Sequence, residues 1–308
     1  MLERRSDSIR SKSALEGALT RRRLLALSAA LALPVPAARA ASPQRIACLD
    51  YGLASTLLPL GLVPDSVTSL ADWNRWVIEP AMPKEVIDLG SSWEINMEAL
   101  VARKPDLILT TVYNDALLPR LEKLAPVFRA TVYSDEGGDI LPKAYATTRA
   151  LAARVERQAE AEAFLTRADA FFDACRERLA RRRAPPVAMV SFMDARHMRI
   201  YCAPGLYHNV LMRLGLENAW KATGNFWGFE TLGIENLAKI RNPDTRLLIF
   251  YPPDPDIMPK LSASPLWQAL PFSQPGRFAI LPGALMFGLV NEALRFARII
   301  TDYLEQTA

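Results

Sequence analysis

The chain has 308 residues, half of them hydrophobic, and its 37 basic and 33 acidic side chains give a net charge of +4. Residues 1–40 hold eight of the basic and three of the acidic residues, so the remainder carries 29 basic and 30 acidic residues, a net charge of −1. A chain this close to neutrality lacks the basic surface that nucleic acids require, so we expect no nucleic-acid partner.

The N-terminal segment predicts export. Residues 20–40, TRRRLLALSAALALPVPAARA, combine a cationic start with a short apolar run and end in the A-x-A pattern of Ala38 and Ala40, typical of a signal-peptidase site. The apolar run is shorter than the roughly 20 residues that span a bilayer. The pair Arg21 and Arg22 favours a twin-arginine signal, although general export signals can also be arginine-rich. We therefore expect a periplasmic protein from which this leader has been removed.

Cysteine and histidine are scarce, which weighs against disulfide, redox and metal sites. Cys48, Cys175 and Cys202 form no C-x-x-C pair, and we expect them to be small buried hydrophobic side chains. A zinc or manganese site usually draws on several histidines together with carboxylates or thiolates, and the chain has only His197 and His208. We therefore predict no metal site built by the protein.

After the leader, strand-like and helix-like runs alternate, which predicts a parallel sheet covered by helices on both faces. The strands predicted in the first half are 45–50, 67–70, 107–111 and 127–133. The helices predicted there are 53–60, the INMEALVARK run that Pro105 ends, and 117–124. The same alternation returns after residue 185 and predicts a second sheet. Its strands are 187–193, 198–201, 247–251 and 278–281, and its helices are 206–215, 234–240 and 286–304.

The two halves are separated by a segment rich in alanine, arginine and glutamate, residues 139–183, which contains no glycine. Five of its apolar residues recur at helical spacing and would share one helix face. They are Phe164, Ala168, Phe171, Cys175 and Leu179. Periodicity alone leaves open whether this segment is one long helix or two.

These patterns predict an α/β protein of two lobes, each a mostly parallel sheet flanked by helices, joined by a long helical span. The predicted boundaries are a signal peptide at 1–40, an N-terminal lobe at 41–141, a helical connector at 142–184 and a C-terminal lobe at 185–308. Small molecules bind in the cleft between two such lobes. Because a helical connector is stiffer than extended linkers, we expect small closure on binding rather than a wide hinge motion.

One stretch follows neither the helix nor the strand period. Residues 218–234, NAWKATGNFWGFETLGI, contain two tryptophans, two phenylalanines and three glycines. Aromatic side chains crowded into a glycine-bearing loop either cover a core or form the wall of a binding site.

Several stretches resemble a known family: TRRRLLAL, RWVIEPAMPKEVIDLG, INMEALVARKPDLIL, DARHM, NAWKATGNFWG, SPLWQALPF and PGRF. KPDLIL alone is common in the class, whereas RWVIEP, NFWG and SPLWQALPF together are much more specific. The chain is similar to the helical-backbone class of periplasmic substrate-binding proteins that serve ABC importers, and most closely to the ferric hydroxamate siderophore-binding family. The resemblance implies a ferric siderophore of hydroxamate or related type as ligand, an inner-membrane ABC permease as partner, no catalytic activity and no resident cofactor. It also implies a monomer whose iron enters only as part of the ligand.

The resemblance assigns three side chains to the ligand pocket, which are Trp76 of RWVIEP and Asn225 and Trp227 of NFWG. The chemistry is consistent with this assignment. A ferric siderophore is a bulky, partly apolar chelate whose iron is already ligated, so the protein supplies aromatic walls and hydrogen-bond donors rather than metal ligands. Either tryptophan could instead fill the core.

Three features depart from the family pattern. Ser92, followed by Trp93, stands where the family has an arginine that bonds the chelating oxygens. The pocket tyrosine appears as Tyr113, one place earlier than an ungapped alignment gives, and Leu285 replaces a pocket tryptophan near the C-terminus. We take Ser92, Trp93 and Tyr113 as candidate ligand contacts, and we expect a siderophore whose charge or chelating chemistry differs from that of the family's hydroxamate ligand.

Four charged residues outside this set are candidates for further roles. Arg75 and Arg196 could supply positive charge to the pocket, or they could be solvated on the surface. Glu98 and Glu235 occupy matching places in the two lobes, each near the start of a helix that precedes a strand. The resemblance implies that they dock onto arginine pockets of the two permease subunits, although an acidic residue also favours the first turn of any helix.

Two other classes of function are weaker alternatives. An exported enzyme would need a reactive motif, and the sequence has no G-x-S-x-G, C-x-x-C-H, H-E-x-x-H or phosphate loop. A Ser/His/Asp triad would have to use His197 or His208. A binding protein for haem or a corrinoid would need an axial ligand, for which Tyr113 or His208 could serve.

Overall fold

A computed structural model describes residues 44–251 and 253–307 and contains two five-stranded sheets with flanking helices. The predicted fold of two α/β lobes is therefore confirmed. The predicted signal peptide lies outside the described residues. Among the helices of the described ranges, none is long and apolar enough to cross a membrane.

The first sheet is wholly parallel and has the strand order β3-β2-β1-β4-β5. Its strands are β1 Ile46–Cys48, β2 Ser66–Val67, β3 Ile87–Asp88, β4 Leu107–Thr111 and β5 Val127–Ala130. The two central strands are almost entirely buried, as expected where helices cover both faces of a sheet. The α-helices of this lobe are α1 Tyr51–Leu57, α2 Trp73–Trp76, α3 Met97–Arg103 and α4 Leu118–Leu121.

The second sheet has the order β10-β9-β6-β7-β8. Its strands are β6 Val187–Phe192, β7 His197–Tyr201, β8 Phe229–Gly233, β9 Arg246–Phe250 and β10 Phe278–Leu281. β6, β9 and β10 run parallel, whereas β7 is antiparallel to both β6 and β8. The sequence did not predict β8, because its FETLG segment shows no clean alternation of apolar and polar residues. The α-helices of this lobe are α7 Leu206–Leu214, α8 Ile257–Ser262, α9 Pro265–Gln268 and α10 Val290–Thr307.

The connector consists of two helices, α5 Ile140–Arg154 and α6 Gln158–Ala180, which settles the question that periodicity left open. The chain breaks between them at Glu156, which has a φ of +56°, a value that an α-helix cannot accommodate. The predicted buried face of α6 needs one correction. Phe172 is fully buried and Phe171 is only partly buried. On a helix of 3.6 residues per turn, Phe172 lies nearer than Phe171 to the centre of the buried face.

Helices α6 and α10 pack against each other and hold the lobes together. α6 also packs against α7, and α10 also contacts α1, so the helix pair touches elements of both lobes. One hydrophobic cluster accordingly runs from Ile46 and Leu107 in the first sheet to Val187 and Leu248 in the second. Arg178 of α6 reinforces the pairing by binding two acidic residues of α10, with a shortest nitrogen–oxygen distance of 2.5 Å.

Two predicted helices differ from the observed ones, and one starts later. The segment predicted at 234–240 forms the 3-10 helix Ile234–Lys239, and the segment predicted at 117–124 contains only the short α4, which follows the 3-10 helix Val112–Leu117. The final helix begins at Val290 because a hydrogen bond between Glu292 and Leu289 caps its N-terminus. The Glu292 side chain accepts a hydrogen bond from the Leu289 amide at 2.7 Å, as in a capping box. The remaining 3-10 helices are Leu58–Leu60, Leu70–Asp72 and Pro271–Ser273.

The adjacent phenylalanines of α6 give a matched test of this core. We expect Phe172→Ala to lower the free energy of unfolding by about 3–5 kcal/mol, because it empties a fully buried ring position. Phe171→Ala should cost less than half as much, since that ring is partly exposed. Urea unfolding followed by circular dichroism measures both. Equal losses for the two variants would show that the assigned face of α6 is wrong.

Candidate ligand-binding cleft

The NFWG stretch forms a tight turn that holds Trp227. The turn is closed by a 2.8 Å hydrogen bond from the Gly228 amide to the Asn225 carbonyl, and the Asn225 side-chain oxygen accepts from the Trp227 amide at 3.0 Å. Gly228 has a φ of +80°, and a Cβ there would lie 2.0 Å from the Cα of Gly205, so no larger residue fits. Asn225 itself is exposed and shapes the loop, and its contact with a ligand stays a prediction.

Trp227 packs across the space between the lobes. Its ring stacks on Tyr113, with centroids 4.6 Å apart and planes 12° from parallel, and it lies 5.8 Å from the ring of Tyr133. Both tyrosines belong to the N-terminal lobe and follow strands β4 and β5. Phe287, from the loop after β10, completes the group. Its ring lies nearly perpendicular to that of Trp227, with centroids 5.4 Å apart. We call these four residues the aromatic cluster. Trp227 thus forms a wall between the lobes rather than filling the core of one lobe.

The sequence did not predict two members of the cluster, Tyr133 and Phe287. Tyr133 is buried, and its hydroxyl donates to the carbonyl oxygens of Met286 at 2.8 Å and Gly288 at 2.9 Å. These bonds tie the N-terminal lobe to the loop that carries Phe287. Leu285, at the position where the family has a pocket tryptophan, is buried in the core. Phe287, two residues later, is the ring of this segment that meets Trp227, and the FG ending of GALMFG could have indicated an aromatic residue here.

Trp76 forms a second contact between the lobes. Its ring meets the ring of Tyr251 edge-on at 5.1 Å, and the Tyr251 hydroxyl lies 3.3 Å from the Trp76 carbonyl oxygen. The Arg75 guanidinium sits 4.8 Å above the Trp76 ring. The neighbouring Trp73 is the one that fills the core, with its indole nitrogen donating to a backbone carbonyl. Of the two tryptophans in helix α2, the structure brings the predicted one, Trp76, to the lobe interface.

Ser92 and Trp93 do not join the aromatic cluster. Both lie in the exposed loop before α3, where the Ser92 amide donates to the Ser69 hydroxyl at 2.7 Å. The Trp93 side chain is 94% exposed and has no ring partner among the described residues. Contact of these two side chains with a ligand stays a prediction.

Two acidic side chains lie beneath the cluster, Glu292 fully buried and Asp50 partly buried. Burial raises the pKa of Asp50 to about 6, against the opposing effect of the backbone amides that it accepts from. Burial likewise raises the pKa of Glu292 to about 7, and one of its oxygens has no hydrogen-bond partner. Desolvation disfavours the charged carboxylate in both cases.

The side chains of the aromatic cluster leave little space beside them. A cavity of about 10 Å³, room for one water, is lined by Asp50, Thr111 and three cluster residues. A siderophore-sized molecule cannot enter such a space, so a ligand of any bulk must displace cluster rings.

A larger concavity of about 340 Å³ lies on the C-terminal lobe, away from the cluster. It is lined by His208, Trp220 and Lys221 among others, and the His208 ring faces the Asn218 amide at 3.4 Å. In the described part of the chain, no three His, Cys, Asp or Glu side chains are placed to hold a metal ion. The three cysteines are buried and unpaired, as expected.

The two candidate docking residues lie one on each lobe. Glu98 is exposed in the first turn of α3, and Glu235 is exposed in the first turn of a 3-10 helix directly after β8. Asn236 holds the Glu235 carboxylate at 3.0 Å. Arg196 is also exposed, in the turn between β6 and β7.

Comparison with known proteins identifies relatives over most of the chain. A family model described as periplasmic binding protein matches residues 46–285. The iron(3+)-hydroxamate-binding protein FhuD of Escherichia coli (strain K12) is 33% identical over 288 residues, which cover 92% of this chain and 96% of that protein.

Solved structures agree on the fold. The siderophore-binding protein FhuD of Vibrio cholerae, bound to Fe³⁺-Desferal, superposes with a TM-score of 0.80 at 27% identity, covering 86% of this chain and 99% of that one. SirA of Staphylococcus aureus, complexed with staphyloferrin B, gives a TM-score of 0.64 at 18% identity, covering 87% and 94% of the two chains.

The buried acid Glu292 makes stability depend on pH. Its carboxyl titrates near 4.5 in the unfolded chain and near 7 in the folded one, so in that window the native state holds a proton that the unfolded state has released. Stability therefore falls as pH rises from 4.5 to 7. Because glutamine stays neutral, the free energy of unfolding of Glu292→Gln should exceed that of the wild type by about 3 kcal/mol above pH 7.

Urea unfolding at a series of pH values measures this difference. The exposed Glu177→Gln on α6 serves as the control and should leave the pH dependence unchanged. Parallel curves for Glu292→Gln and the wild type would show that the carboxyl is ionised in the folded protein.

Proposed function

The chain belongs to the periplasmic binding protein family, and we propose that it captures a ferric siderophore, of hydroxamate or related type, and delivers it to an inner-membrane ABC importer. The observation that carries the proposal is the aromatic cluster, which places Trp227 of one lobe against Tyr113 of the other. The 33% identity with the hydroxamate-binding relative of Escherichia coli over nearly the whole chain supports the same ligand class.

The chemistry of the cleft suits a ligand whose iron is already coordinated. Ferric iron in a siderophore needs no further ligands, so the protein has to enclose an apolar chelate and hold its oxygen atoms. Aromatic rings supply large contact areas at low cost in conformational entropy. Iron thus enters only within the ligand, with no resident cofactor, and the protein binds without chemical turnover.

Binding would open the aromatic cluster. Because the cavity between the lobes holds about one water, a siderophore has to separate the stacked rings of Trp227 and Tyr113. The shared core of α6 and α10 resists wide movement of the lobes. Ring displacement together with small closure therefore accommodates the ligand.

Haem or a corrinoid fits the cleft less well. An axial tyrosine would have to present its hydroxyl to the iron, whereas the ring of Tyr113 is stacked on Trp227. The other candidate, His208, lines the separate concavity on the C-terminal lobe. The relatives whose names state a ligand carry iron chelates instead.

Membership of the family favours a periplasmic location and an ABC permease as partner. The predicted leader would export the chain to the periplasm, with the twin-arginine route favoured by Arg21 and Arg22. There the protein would act as a monomer that presents both lobes to a permease. Glu98 and Glu235, one exposed carboxylate per lobe, would fix its orientation on two permease subunits.

Ligand capture is tested by tryptophan fluorescence. We expect ferric, but not iron-free, siderophore to quench the emission, and Trp227→Ala to weaken binding at least about thirtyfold, because it removes a central aromatic anchor. Trp267→Phe, which removes a tryptophan from the core of the C-terminal lobe, is the control for loss of a fluorophore. If Trp227→Ala binds within twofold of the wild type, the pocket lies elsewhere.

Docking is tested by charge reversal. The double variant Glu98→Arg and Glu235→Arg should bind siderophore like the wild type, since neither carboxylate lines the cleft, and yet fail to support iron uptake by cells. Glu177→Arg, which reverses an exposed charge on α6, should transport normally. Wild-type uptake by the double variant would show that the two glutamates are ordinary residues of helix starts.

A further inference from the structure

Strand β7 turns one arginine toward the lobe interface. Met198 and Ile200 are fully buried in the outer core of the C-terminal lobe, so the alternation of a strand puts Arg199 and Tyr201 on the opposite face. Tyr201 belongs to the core cluster that joins the two lobes, which identifies this face as the inner one.

The Arg199 guanidinium extends the aromatic cluster. Its central carbon lies 4.9 Å from the ring centre of Phe229, in cation–π contact. Phe229 in turn lies 6.3 Å from Phe287, which meets Trp227 at 5.4 Å. Arg199 is thus linked through two phenylalanine rings to the tryptophan proposed as the wall of the ligand site.

Arg199 lacks the polar partners that two other arginines have. Arg295 binds Glu79 at 2.8 Å and the Gly283 carbonyl at 2.8 Å, and Arg213 binds Asp173 at 2.7 Å. The Nε of Arg199 is buried and has no hydrogen-bond partner among the described residues. The terminal N–H groups of its guanidinium are the donors that a ligand entering the cleft could use.

Two arginines bring positive charge to the cleft. Arg75 lies over Trp76 and adds a second cation, while the carboxylate of Glu79 is already paired with Arg295 and Arg298. The two acids beneath the cluster have pKa values of about 6 and about 7, so at neutral pH they are partly ionised and offset part of this charge.

We propose that Arg199 is a ligand-contacting residue of this cleft and that it selects ferric siderophores bearing negatively charged oxygens, such as carboxylates. The proposal rests on the proposed function. It accounts for Ser92, which leaves the first lobe without the arginine expected from the family resemblance, by placing a guanidinium in the opposite lobe. A planar guanidinium binds carboxylate oxygens in a paired geometry that lysine cannot reproduce.

The test compares two ferric chelates by fluorescence quenching. One is ferric staphyloferrin B, which bears carboxylates, and the other is ferric Desferal, a hydroxamate complex without negative charge. Arg199→Gln should weaken binding of the first at least about tenfold and of the second less than threefold. Arg199→Lys should weaken binding of ferric staphyloferrin B by less than Arg199→Gln does, but measurably. Arg241→Gln, at an exposed arginine of the same lobe, is the matched control and should change neither affinity.

The possible results separate the two proposals. If the wild type binds either chelate but Arg199→Gln alters both affinities equally or neither, the assignment of Arg199 is overturned and siderophore capture stands. A wild type that binds Desferal alone also overturns the preference for negative charge. If the wild type binds no ferric chelate, the proposed function fails and the role of Arg199 with it. Circular dichroism checks the fold of each variant. If Arg199→Gln fails to fold, the affinities of Arg199→Lys for the two chelates are compared with those of the wild type instead.

Discussion

A single hydrophobic core shared by both lobes is the constraint on which the rest of the structure depends. Helices α6 and α10 pack together and against elements of each lobe, and the buried cluster continues from one sheet to the other without interruption. Two lobes joined in this way cannot swing widely apart without exposing that core, because each buried side chain is worth roughly 1.5–3 kcal/mol. The cleft must therefore accept its ligand through local movement of side chains.

The aromatic cluster is the part of the interface that can move locally. Trp227 is held by a turn whose geometry requires Gly228, while its ring makes only stacking contacts with the tyrosines of the other lobe. Stacking of this kind is worth about 0.5–1.5 kcal/mol beyond the area it buries, so a ligand that offers its own apolar surface can replace it. The backbone of the loop is fixed, and the ring it presents is exchangeable.

Several arginines hold the structure together, whereas Arg199 has no acceptor among the described residues. Arg178, Arg213 and Arg295 each pair with a carboxylate across two elements and so stabilise the packing of the helices. Arg199 is partly buried on the inner face of its sheet, and its Nε is unpaired. Removing water from an unpaired cation is costly, and a structure tolerates it where an incoming ligand supplies the missing acceptor.

The sequence by itself determined the class of fold and part of the site. Alternating strands and helices predict two sheets because the apolar period of each element depends only on nearby residues. Five strands came within one residue of their observed ends: 107–111, 187–193, 198–201, 247–251 and 278–281. The resemblance of NFWG and RWVIEP to a known family pointed to Trp227 and Trp76 as candidate site residues.

Only the tertiary structure decided which side chains meet across the cleft. Tyr133, Phe287 and Tyr251 look like ordinary aromatic residues along the chain, and they face the interface because of how the lobes pack. Arg199 looked like a polar residue in a short strand. Its role depends on which face of the antiparallel β7 turns inward, and that is set by pairing with β6 and β8, which are distant or irregular in sequence. Local periodicity carries no information about such contacts, because they join residues that are far apart along the chain.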